Sequence, residues 1–115
     1  MHHANRLCED TLRAIFLPRA REEVCRYYRD FLTVKPQLMC WCMKLVNLRH
    51  SPGECSRYLI DFELYPYIGQ KVTISVCRLT FSVKDYDGEI KLESFRQVRS
   101  FPVPEHLWDV VCQPF

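Results

Sequence analysis

The chain lacks most of the features that announce a function. No apolar run approaches the ~20 residues that a membrane span requires. There is no Gly-rich phosphate loop, no metal triad and no nucleophile signature. There is no internal repeat, low-complexity segment or linker, so the 115 residues read as one domain. His2, His3, His50 and His106 are scattered, and Cys40-x-Cys42 is narrower than a zinc pair and has no second pair to match it. These absences point away from catalysis, cofactors, metals, membranes and small-molecule substrates. Charge of one sign is also scarce. The net charge is +2, which neither demands nor excludes nucleic acid, because the placement of basic residues decides that.

The seven cysteines are an odd set, and no signal peptide precedes them. An intracellular, reduced protein with buried free thiols is the expectation. Residues 1–7 read as an unstructured start and 8–34 as a helical lead-in, with Pro18 at the first position of a second helix. Ala20, Val24, Tyr27 or Tyr28, and Phe31 form one apolar stripe at helical spacing. Lys35-Pro36 ends it. From 37 to 101 the texture is that of strands. "QLMCWCMKLVNLRH" reads as the first, Ser51 to Glu54 as a turn, and "CSRYLIDFELY" as the second. Tyr58, Ile60 and Phe62 then share one face and Leu59, Asp61 and Glu63 the other. After the break at Pro66 to Gly69 come two long strands joined at Asp85 to Gly88, which contains an Asp-Gly pair. Residues 102–115 form a closing segment whose prolines exclude a central strand.

Those last two strands lose phase. Val72, Ile74 and Val76 have one parity and Leu79, Phe81 and Val83 the other. Ile90 and Leu92 keep step, whereas Phe95 and then Val98 shift. A bulge near Cys77-Arg78 would let both sets of the first strand face one core. Two adjacent bent strands suit a small closed barrel. The expectation is a mainly β, OB-fold-like Greek-key barrel over 37–101 with one or two leading N-terminal helices. An open sheet with imperfect alternation, or a nuclear-transport-factor-like curved sheet behind a leading helix, is the alternative.

Several short motifs add a resemblance. Gly69-Gln70-Lys71-Val72, the turn Asp85 to Gly88, Val98 to Pro102 and the ending Gln113-Pro114-Phe115 resemble the final barrel strands of the OB-fold subunit of the CST telomere-capping complex. That subunit is akin to the middle subunit of replication protein A. "IFLPRAREEVCRYYRDFL" is similar to the family's lead-in and "CWCMKLVNLRHSPGECSRYLIDFEL" to its first hairpin. Only "YPYI" stands where the family has a third strand and often a helix, so the chain resembles the short, divergent insect telomere proteins more than a standard subunit. The resemblance implies a nuclear protein at chromosome ends. It implies binding of single-stranded telomeric DNA in a heterodimer with a second small OB-fold protein.

Single-strand binding needs rings for stacking and cations for phosphate. Tyr58 and Phe62 share parity with Ile60 and read as core. Tyr65 and Tyr67 flank Pro66 in a loop and are the better stacking candidates. Arg57, Arg78, Lys84 and Arg96 are the candidate phosphate contacts, with Lys71 and Arg99 beside them. Acids lie between these cations, so a solvated face is the plain alternative. Leu107, Trp108 and Val111 form a terminal apolar cluster, where the related families place partner contacts. Trp108 alternatively plugs the barrel bottom. A purely protein-binding assembly domain remains the rival to the whole reading.

Overall fold

The computed structural model describes residues 2–53 and 56–115. Glu54 and Cys55, where the expected turn ends and the expected second strand begins, lie outside the described residues. Among the described residues one α-helix, α1 (His2–Tyr28), leads into six strands. These are β1 (Met43–Ser51), β2 (Arg57–Leu64), β3 (Tyr67–Ile68), β4 (Val72–Thr73), β5 (Ser75–Lys84) and β6 (Ile90–Ser100). The four long strands make one antiparallel sheet in the order β1-β2-β5-β6, and β3 and β4 form a separate ribbon. The fold is α+β: one N-terminal helix, then an antiparallel sheet of four strands.

This corrects the expected barrel. Long neighbours in the chain are neighbours in the sheet, which is a meander and not a Greek key. Among the described residues β1 and β6 are the two edges of the long sheet and no strand closes it. The physical reason is the helix. Phe16, Ala20, Val24 and Tyr28, four residues apart, are all buried, and they cover the face that a barrel would have covered with its own strands. Phe16 stacks on Phe81 at 4.9 Å between ring centroids and lies 5.8 Å from Phe62. Each such ring taken out of water contributes ~1.5–3 kcal/mol.

The same stripe explains two further differences. The helix runs through residues 2–7, expected to be unstructured, and Pro18 lies inside it instead of opening a second helix. Interior proline costs a helix roughly 3 kcal/mol. The buried stripe on both sides of Pro18 offsets that cost.

The phase slips expected at Phe95 and Val98 are real, whereas the bulge expected near Cys77-Arg78 is not in β5 itself. Opposite β5, the register shifts at Val76/Cys77 and at Thr80/Phe81. In both places the extra residue belongs to β6: Glu93 between Leu92 and Ser94, and Val98 between Gln97 and Arg99. The first bulge returns Phe95 to the helix side, opposite Leu79. The second leaves Val98 exposed. The early slip is a break between strands: Val72 belongs to β4, and β5 starts only at Ser75. The first expected strand is also shorter. Cys40–Cys42 form a 3-10 turn, and β1 begins at Met43.

One polar cluster is buried under α1. The Tyr28 hydroxyl donates to Gln97 Oε1 at 2.7 Å, bonds the Ser75 hydroxyl, and lies 3.5 Å from Cys77 Sγ. Tyr28, Ser75 and Cys77 are fully buried. Burial pushes the Tyr28 phenol well up from its ordinary range and the Cys77 thiol up, so both stay neutral. The cluster fixes the end of α1 to β5 and β6. Tyr28→Phe strands the buried polar partners and is expected to lower stability by ~1–3 kcal/mol. Urea unfolding checks this, as a lower midpoint with an unchanged slope.

Candidate nucleic-acid interface

Cross-strand register fixes which side chains meet on the face that α1 leaves open. Lys44 is opposite Glu63, Glu63 opposite Arg78, and Arg78 opposite Arg96. These four form one row across all four strands, on the side away from the core. The next row toward the β2 C-terminus carries Arg99 opposite Val76. Arg99 lies over the Phe101 ring, 5.0 Å from its centroid. Tyr65 donates its hydroxyl to Glu63 Oε1, and Arg78 Nε reaches Glu63 Oε2 at 3.4 Å. At this end of the sheet Lys44, Arg78, Arg96 and Arg99 lie in two adjacent rows, and Glu63, paired with Arg78, is the one carboxylate in those rows among the described residues.

The other end is charge-balanced. Arg49 holds Asp61 through two nitrogens at 3.0 and 3.1 Å, and Thr80 donates to the same carboxylate at 2.6 Å. Arg57 donates to Ser82 at 3.0 Å and to Glu89 at 2.9 Å. Ser82 in turn donates to Glu93 at 2.7 Å. Lys84 lies 4.0 Å from Asp87. The face therefore has a polarity along its strands that net charge conceals.

The six expected nucleic-acid contacts divide accordingly. Arg78 and Arg96 come together as direct neighbours. Tyr65 joins them at the basic end, bonded to Glu63. Arg57 and Lys84 share the face but sit opposite one another at the balanced end. Tyr67 is only 7% exposed, and its hydroxyl donates to Gln37 at 3.3 Å. It is core where the sequence suggested a loop ring. Phe62 is core as expected, whereas Tyr58 is half-exposed and stacks on His50 at 4.7 Å.

The terminal cluster also divides. Val111 bridges to Leu32, and the flanking backbone bonds Thr33 to Val110 and Cys112 to Phe31. Leu107 packs beside Gly69, whose φ of +59° leaves 3.4 Å to the leucine methyl for any added Cβ. Both are spent inside the chain. Trp108 is 60% exposed, with Nε1 donating to the Val103 carbonyl at 2.8 Å. It therefore plugs nothing.

Sequence reading missed Trp41. The 3-10 turn buries Cys42 beside buried Leu38 and leaves Trp41 68% exposed. A recess of about 260 Å³ lies between Trp41, Tyr65, Tyr67 and Lys71, with Cys42 and Thr73 completing its lining. Lys71 has φ +60°, the left-handed region. Cys42 and Met43 are consecutive core residues, which no single strand face accommodates, and the turn before β1 resolves this.

Two tests follow. Glu63 is held below the usual carboxylate range first by the Tyr65 hydroxyl and then by Arg78, against an opposing push from burial. Its folded pKa is depressed, so its stabilisation is present above the unfolded value of ~4.3 and is lost as pH falls through the folded value. Glu63→Gln should be less stable than wild type at neutral pH, with the gap closing below about pH 4 in acid-dependent urea melts. Lys71→Gly removes left-handed strain and should raise stability by roughly 0.5–1 kcal/mol in the same assay.

Among the described residues no group of three or more His, Cys, Asp or Glu side chains is placed to hold a metal ion, and no helix is long and apolar enough to cross a membrane. No family model, curated protein or solved structure matches this chain.

Proposed function

We propose that this chain is a non-catalytic binding module that holds single-stranded nucleic acid across the basic end of its open sheet face. The observation that carries the reading is the row Lys44–Glu63–Arg78–Arg96. Two arginines directly opposite one another on adjacent strands repel, by an amount of the order of 0.2–1 kcal/mol. A phosphate placed between them turns that repulsion into charge-assisted hydrogen bonds. Arg99 extends the row by one step, and Tyr65 adds a ring at its edge. Cations and rings at one end of a face are the two ingredients of sequence-tolerant single-strand binding.

The setting of the proposal comes from the resemblance alone. It is single-stranded telomeric DNA at chromosome ends in the nucleus, with a second small OB-fold protein as partner. The phosphate row does not depend on a barrel, because register on an open sheet is enough to build it.

A second reading, assembly with protein only, draws on one observation. A groove of about 560 Å³ lies beside exposed Trp108, between Phe101, Val103 and Phe115. Titration of a labelled thymidine oligomer at several salt concentrations separates the readings. Three to four phosphate contacts predict a log–log salt slope of about −2 to −3, and Arg96→Gln should reduce it by about 0.7. Glu63→Gln, which removes the carboxylate from the row, should tighten binding several-fold. A flat titration at low salt, with all variants alike, would overturn the nucleic-acid reading in favour of protein assembly.

A further inference from the structure

We propose that the recess at Trp41 is a base pocket, taking one nucleobase of the strand whose phosphates lie on the Arg78–Arg96 row. The inference rests on the single-strand reading, but it assigns a separate site and separate residues. Three observations carry it.

The first is the exposed ring. Trp41 is 68% exposed although its neighbours Cys42 and Leu38 are buried. The turn Cys40–Cys42 is closed by the Cys42 N–H donating to the Met39 carbonyl at 2.8 Å. Tyr65 N–H then donates to the Cys42 carbonyl at 2.9 Å. These bonds fix the backbone on which the exposed indole stands, so binding there orders a side chain and not a loop.

The second is the shape and lining. About 260 Å³ between Trp41, Tyr65, Tyr67 and Lys71 suits one flat heteroaromatic ring and not a peptide or a fatty chain. Trp41 and Tyr65 offer faces for stacking. Thr73 supplies a polar edge at which a base can hydrogen-bond, and Tyr67 closes the inner side.

The third is charge and position. Lys71 stands at the recess with its backbone in the left-handed region, where a lysine is retained against a local conformational cost. Tyr65 joins the recess to the phosphate row, because its hydroxyl bonds Glu63, the centre of that row. Arg78 and Arg99 are near enough to draw the Tyr65 phenol downward, against the larger upward push from Glu63. A strand crossing the row therefore meets cations first and a ring-lined recess next. That order matches the sugar-phosphate and base of one nucleotide. An apolar partner would gain nothing from Lys71, and an anion alone nothing from Trp41.

The test uses the full chain. Trp108→Phe leaves Trp41 as the sole tryptophan, since the chain has two. Thymidine oligomer and adenosine monophosphate are each titrated against its fluorescence at low salt. Saturable quenching by both is expected. In the wild-type background Trp41→Ala should weaken oligomer binding by roughly 5- to 100-fold while leaving the melting temperature unchanged, because the ring is exposed. Lys71→Gly should bind more weakly although it melts higher, a pairing that a purely structural lysine would not produce. Wild-type oligomer binding that is untouched by Trp41→Ala and gives no quenching overturns the base pocket and leaves the single-strand reading standing. Quenching by adenosine monophosphate without oligomer binding keeps the pocket and removes the single-strand reading. Absence of both responses removes both.

Discussion

One helix covers one face of one sheet, and the rest of the molecule follows from that. Phe16 against Phe62 and Phe81, continued by Ala20, Val24 and Tyr28, occupies the whole apolar side of β2 and β5. A sheet so covered has no need to curl onto itself. Its second face must be compatible with water, and most side chains there are charged or polar, with Leu59 and Val76 as the apolar exceptions. Tyr28 completes the constraint. Its buried hydroxyl, bonded to Ser75 and Gln97, ties the helix end to the two strands that carry Arg78, Arg96 and Arg99. The helix is therefore the reason that the basic row has a fixed geometry.

The basic row and the recess both hold groups in arrangements that stability alone would not select. Arg78 faces Arg96, and only Glu63 neutralises that part of the row. Lys71 occupies a conformation that glycine adopts more easily. Arg78 at this end and Lys84 at the balanced end are only ~20 Å apart along β5 at roughly 3.3 Å per residue, so the imbalance is local. At the balanced end each arginine has a carboxylate: Arg49 has Asp61 and Arg57 has Glu89. Strain and like-charge pairs are expected where a ligand contributes the missing interaction.

The sequence carried the elements better than their closure. The alternation of Tyr58, Ile60 and Phe62 against Leu59, Asp61 and Glu63 placed β2 correctly, and the Asp-Gly turn placed the hairpin of β5 and β6. The lost phase of β6 was legible as bulging because a core face tolerates no register slip. Its consequence was not legible. A bulge bends a strand in a barrel and equally on an open sheet, and the difference lies in whether a helix covers the concave side. The stripe from Phe16 to Tyr28 held that information, but Pro18 divided it on paper. The site was half-legible for the same reason. Arg78 and Arg96 are legible as strand cations, yet they share a face and stand directly opposite one another only because Glu93 is looped out between Leu92 and Ser94. Trp41 was invisible because a 3-10 turn interrupts an otherwise strand-like run.

The edges of the sheet bear on the proposal that its face, and not its rim, takes a partner. An unpaired edge strand invites pairing with another chain unless it is charged, bulged or short. The β1 edge carries Lys44 and Arg49, and Val46 is looped out of register between Leu45 and Asn47. The β6 edge carries Lys91, Arg96 and Arg99, and it is looped out twice, at Glu93 and Val98. Both edges thus break the continuous ladder that an added strand would need, and both place cations where a second copy of this chain would bring the same charge. What suppresses edge pairing also supplies the ends of the basic row, because Lys44 and Arg96 are its two outermost members. These edges repel another cationic strand but not a strand with a negative backbone, which accords with the proposed single-strand reading.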